Sequence, residues 1–166
     1  MMTDWTPAIV QAVYVFLIAY AIVTDTTSLR VPNWIPLSLG GLYLGYAILM
    51  GSFDQLALHA LIGAGALAVG FALFSLGVFG GGDAKFLTAL ALWMGPASIG
   101  AFIVLTTLFG GVAAAALAGL KRLLIANPAL ANRAVIAKPV AWARDGRMPY
   151  ALPLGLAALV LGPRLF

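Results

Sequence analysis

The residues with chemistry to offer are few. The chain holds five carboxylates, all aspartates, nine lysines and arginines, one histidine and no cysteine. Disulfides, thiolate zinc sites and cysteine nucleophiles are therefore excluded. A lone histidine, His59, cannot build a multi-histidine metal site within one chain. What remains is carboxylate chemistry. Asp83 follows Gly80, Gly81 and Gly82 and precedes Ala84 and Lys85, between two long apolar runs. A charge at the edge of a membrane core is costly unless it is paired or used, so Asp83 reads first as functional. Glycines lack Cβ atoms, tolerate positive φ and let a helix or an extended peptide approach the backbone closely. An aspartate before an apolar helix also suits a helix cap, and one residue can fill both roles.

The elements that position these residues are apolar. Of 166 residues, 63% are hydrophobic and 8% charged, and the mean hydropathy is +1.07, which predicts an all-α integral membrane protein forming one polytopic domain over residues 1–166. Six segments are expected: about Pro7 to Thr24, Trp34 to Gly51, Leu56 to Phe79, Ala84 to Gly95, Ser98 to Leu120 and Tyr150 to Gly162. The fourth and sixth are short for a crossing, and the fourth ends at Gly95-Pro96. Gly63, Gly65 and Gly70 in the third suit close helix packing. Residues 1–6 include Asp4 and no basic residue, so the first segment is expected to remain as an anchor.

With the N-terminus outside, six crossings place Arg30, Lys85, Lys121, Arg122, Arg133, Lys138, Arg144 and Arg147 on the cytoplasmic side and leave Arg164 outside. This positive-inside pattern favours that orientation. It also makes the net charge of +4 a topology signal and a lipid-contact signal, concentrated in the loop of about residues 121–149, so no nucleic-acid partner is expected. Asp25 and Asp83 then share the cytoplasmic membrane boundary, Asp4 and Asp54 lie on the other side, and Asp145 pairs with Arg144 or Arg147. Only Asp25 and Asp83 can meet.

Two carboxylates in a partly buried site cannot easily both ionise; they hold one proton and titrate as a unit. The ionised partner activates a water and the protonated one polarises a carbonyl, which is peptide hydrolysis without metal or cysteine. The glycine-rich edge gives an unwound substrate backbone a place to lie.

Asp25-Thr-Thr-Ser-Leu-Arg30-Val31-Pro32-Asn33 resembles the D-x₅-[IV]-P-N motif of the type 4 prepilin peptidases. Gly80-Gly81-Gly82-Asp83-Ala84-Lys85 resembles their GxGD-x-K motif, and Pro149-Tyr150-Ala151-Leu152-Pro153 is similar to their P-Y-G-x-A segment, with Ala151 where the family usually has glycine. The resemblance implies a GxGD aspartic endopeptidase of the bacterial inner membrane that removes the basic leader from pilin-like precursors. Asp25 and Asp83 would be catalytic. Gly80, Gly81, Gly82, Lys85, Pro32, Asn33, Pro149 and Tyr150 would support the pair or contact substrate. Larger members carry a zinc-binding cysteine insertion and also N-methylate the product. This chain has no cysteine and no room for the insertion between Asn33 and Gly51. It resembles the short, peptidase-only form found with tight-adherence (Flp-type) pili. Methylation, a metal and a soluble cofactor are not expected.

Simpler roles stand beside these. Asp25 could end a helix and pair with Arg30, Pro32-Asn33 could merely start the second helix, Lys85 could be a snorkelling anchor, and His59 is expected to be structural. The competing reading is a non-enzymatic transporter subunit or assembly scaffold, for which carboxylates spread through the membrane depth or inverted repeats would be expected. A protease cutting within helices would place its second aspartate inside an apolar segment, whereas Asp25 opens a polar stretch.

Overall fold

A computed structural model describes residues 5–127, 137–145 and 148–166, and all regular structure among them is helical. The helices are α1 (Thr6–Ser28), α2 (Trp34–Met50), α3 (Phe53–Ser75), α4 (Gly81–Ala126), α5 (Ala137–Asp145) and α6 (Ala151–Leu161), the last followed by a 3₁₀ turn at Gly162–Arg164. Three of them, α1, α3 and α4, are long and apolar enough to cross a membrane.

α1 starts with Pro7 in its first turn, where the missing N–H costs nothing. It runs a turn beyond the expected end at Thr24. The hydroxyls of Thr26, Thr27 and Ser28 bond back to the carbonyls of Ile22, Val23 and Thr24 at 2.7 Å each, so the polar last turn satisfies itself. The helix stops at Leu29, whose φ of 52° is uncommon for a residue with a side chain and whose N–H closes on the Asp25 carbonyl. Asp25 therefore sits inside the last turn of a helix rather than at the head of a loop.

The expected fourth and fifth segments are the two limbs of α4. They are separated at Gly95, where φ 54° and ψ −167° are not helical, and Pro96 starts the second limb. The chain reverses there: Phe79 and Thr106 line the same cavity, whereas a straight helix from Gly81 to Thr106 would separate its ends by roughly 35 Å. The first limb packs on α3 through small residues. A Cβ on Gly70 would lie 3.1 Å from Ala84, and one on Gly63 would lie 3.5 Å from Leu92, whereas Gly65 has nothing within 4 Å. Two of the three expected packing glycines thus make that contact.

The core lies among α1, α2, α4 and α6, with Tyr14, Ile18, Ile35, Leu39, Phe86, Leu90, Met94 and Leu154 fully buried. α3 buries only Gly63 and Gly70 and leaves Leu58, Leu61, Leu67, Val69 and Phe71 exposed, as a helix does when its outer face meets lipid rather than water. Residues 121–149 are less loop than expected: α4 continues to Ala126 and α5 follows within the stretch. Asp4, Arg133 and Arg147 lie outside the described residues, as do the side chains of Arg144 and Asp145, and with them the expected pairing of Asp145.

Candidate active site

Asp25 and Asp83 are the buried charged residues among those described, 2% and 8% exposed. They come from the end of α1 and the start of α4, and Asp83 lies within electrostatic reach of Asp25. The other described carboxylate, Asp54, is exposed in the first turn of α3, where a negative charge complements the helix N-terminus.

Each aspartate is held by backbone. Asp25 Oδ2 accepts the N–H of Ala151, the first residue of α6, at 2.8 Å. Asp83 occupies the first turn of α4, and its Oδ2 accepts the Gly80 N–H at 3.2 Å. The capping expected of Asp83 is therefore present, made from inside the helix. Its Oδ1 is buried with no hydrogen-bond partner, a spare acceptor of the kind that native proteins rarely leave without a use.

The three glycines are not equivalent. A Cβ on Gly80 would lie 2.9 Å from Asp83 Oδ2, and one on Gly82 would lie 2.8 Å from the Val31 carbonyl oxygen. A Cβ on Gly81 meets only the Phe74 ring at 3.6 Å, an ordinary contact. The G-x-G-D spacing thus has a steric cause: the first glycine makes room for the carboxylate and the second for the α1–α2 connection. Because Val31 rests on Gly82, the segment after Asp25 is pressed onto the helix that starts with Asp83. Pro32 follows at the bend, half-buried.

Lys85 Nζ donates to Asn33 Oδ1 at 2.9 Å, joining the two sequence motifs through side chains. The third motif arrives from the C-terminal side. Pro149 is buried, the Tyr150 ring packs on Phe79 with centroids 4.7 Å apart, and the next N–H is the one that Asp25 holds. The residue missed from sequence is Ala151. Its contribution is a backbone N–H, which any residue but proline supplies; the neighbouring Pro-Tyr was the available signal. No group of three histidine, aspartate or glutamate side chains that could hold a metal occurs among the described residues.

His59 is remote from this cluster. Its Nδ1 donates to the Leu92 carbonyl at 2.8 Å and its ring stacks on Tyr43. That carbonyl is the one Pro96 leaves without its helical N–H, so the expected structural role has a specific object.

A helical chain with apolar outer faces and two buried carboxylates converging at one end has the build of a membrane peptidase. The type IV leader peptidase family matches over residues 12–118, more than half of the chain, and the chain belongs to it. The match includes Asp25, Val31–Asn33 and Gly80–Lys85 and stops before Pro149. No curated protein and no solved structure matches the chain. Family membership makes the protein a hydrolase of peptide bonds.

Proposed function

We propose that the protein is a membrane aspartic endopeptidase that removes the basic leader from type IV or Flp-type prepilins, with Asp25 and Asp83 as the catalytic pair. The observation that carries this reading is the pair itself: two buried aspartates, brought from separate helices, in a chain of the leader peptidase family. The chain crosses the bacterial inner membrane six times with its N-terminus outside, as the distribution of basic residues favours, and the carboxylates face the cytoplasmic boundary. Its partners are pilin-like precursors and membrane lipids.

The pair begins with one shared proton. The ionised carboxylate takes a proton from water as the oxygen adds to the scissile carbonyl carbon, and the other carboxyl gives its proton to the carbonyl oxygen. The C–N bond of the resulting diol then breaks, the leaving nitrogen takes a proton from the pair, and the new carboxyl group returns one to it. Asp25, held by the N–H at the start of α6, is suited to carry the charge. The unpartnered Asp83 Oδ1 is suited to carry the shared proton.

The test is a gel-shift assay of precursor cleavage with the precursor co-expressed beside the wild type, Asp25→Asn, Asp83→Asn and Asp54→Asn. Loss in the first two variants and retention in the third is expected. Cleavage by both Asn variants of the pair would refute the catalytic assignment. A wild type that fails on several well-expressed pilins would favour a scaffold.

A further inference from the structure

Two cavities on the α4 side of the molecule meet at Phe79, Thr106, Thr107 and Leu154. One, of about 540 Å³, lies between α3 and the second limb of α4 and reaches Ile62 and Ile99. The other, of about 590 Å³, runs beside Gly110, Gly111 and Ala114 to Lys121 and Trp142. Side by side along these shared walls they make one trough, with Phe79 on the shared wall and its ring partner Tyr150 on the second cavity. Phe79 directly precedes the glycines of Asp83, and Tyr150 directly precedes the N–H that holds Asp25. One polar atom at this junction is unused. Thr106 Oγ1 is buried without a hydrogen-bond partner, whereas its neighbour Thr107 bonds back to the Ile103 carbonyl at 2.8 Å.

We infer that this trough is the substrate path, a proposal that rests on the leader-peptidase reading above. The apolar helix of a single-pass precursor lies in the α3 half against Ile99 and Ile103, the leader crosses the half lined by Gly111, Ala114 and Trp142, and the junction receives the segment to be cut. Three features select this occupant. The trough adjoins the candidate active site at Phe79 and Tyr150, and that junction falls between two halves of similar size, as a cut between a helix and a leader requires. The leader half is bordered by Gly110, Gly111 and Ala114, where the absence or smallness of a side chain lets another backbone come close. The Thr106 hydroxyl, closed off while the Phe79–Tyr150 rings are together, is freed when they part and supplies a hydrogen bond to a substrate peptide group, which an unwound helix exposes and cannot satisfy in a membrane. Neither aspartate lines the trough, so the cut segment parts the Phe79–Tyr150 rings to reach them.

The absence of cysteine makes the test direct. Single variants Ile103→Cys, Ala114→Cys and Leu37→Cys, in an Asp83→Asn background, are oxidised in membranes with a precursor bearing a basic leader, a glycine before the cut and an apolar helix. The precursor carries one cysteine, in either the helix or the leader. Ile103→Cys is expected to form disulfides with the helix and Ala114→Cys with the leader. Leu37→Cys, in the groove that α2, α3 and the first limb of α4 form on the Asn33–Lys85 side of the molecule, is expected to form neither. Crosslinking at Leu37→Cys alone, reversed order, or no crosslink with a precursor that the wild type cuts would overturn the path. Ordered crosslinks without wild-type cleavage would instead overturn the peptidase reading and leave the path standing. In active protein, Thr106→Val should lower kcat/KM about 3- to 10-fold. A Thr106→Val enzyme with unchanged kcat/KM would remove the hydroxyl from the proposal.

Discussion

The two ends of the first limb of α4 solve one problem with opposite chemistry. At Gly80–Asp83 the helix begins, and its free N–H groups need acceptors; at Gly95–Pro96 it breaks, and a freed carbonyl needs a donor. Asp83 serves the first end and His59 the second. The difference is in what each group has left. His59 spends its Nδ1–H on Leu92, with its ring stacked on Tyr43. Asp83 caps with one oxygen and keeps the other buried and unpartnered beside a second carboxylate. Spare bonding capacity alone does not mark chemistry, since the Tyr14 hydroxyl is also buried and unpartnered among Trp93 and Phe166. Spare capacity on converging charges does.

Substitutions at the two ends should therefore fail differently. The largest loss belongs to the carboxylate end: Asp25→Asn and Asp83→Asn are each expected to reduce cleavage by at least about 10²- to 10⁴-fold with little change in thermal unfolding. Unfolding and loss of cleavage in parallel would erase the contrast. At the far end, Gly95→Ala is expected to destabilise. Its backbone lies where side chains cost about 1–3 kcal/mol, and its Cβ would enter the His59 ring. Thermal melts in detergent should show this, and adding His59→Ala should recover the clash but not the backbone cost.

Within the glycine run, Gly82→Ala should lower activity strongly by pushing the Val31 backbone from α4, whereas Gly81→Ala should cut nearly as wild type. Equal effects would remove the steric account of the motif. Lys85→Ala and Asn33→Ala should each reduce cleavage less than about tenfold, and the double variant should be no worse than either if the bond between them is what matters. The smallest effect is expected from His59→Gln, which should leave cleavage intact and cost about 1 kcal/mol of stability.

Much of this was legible in the sequence because membrane helices announce themselves by composition, and carboxylates are scarce enough here to count. The expected topology singles out Asp25 and Asp83 as the carboxylates that can meet, and these are the two that the fold buries. The break at Gly95-Pro96 was legible because proline and glycine there serve no continuous helix. The helical placement of Asp25 was not, since Thr26, Thr27 and Ser28 read as loop by polarity until their hydroxyls are seen returning to the helix. Nor was Ala151, because a backbone N–H has no side chain to betray it. The His59–Leu92 bond could have been anticipated: a proline inside an apolar run frees a carbonyl, and one nearby imidazole was the available donor.

The bond from Asp25 to Ala151 spans 126 residues of sequence. On the ribosome, Asp25 enters the membrane long before its partner exists, and α2, α3 and both limbs of α4 are made in between. The site cannot be completed until α6 docks, however early Asp83 arrives. A pair arranged in this way is its own timer: Asp25 gains its backbone partner only once α6 has been made and has docked, so a product that stops before α6 would hold Asp25 without the Ala151 N–H.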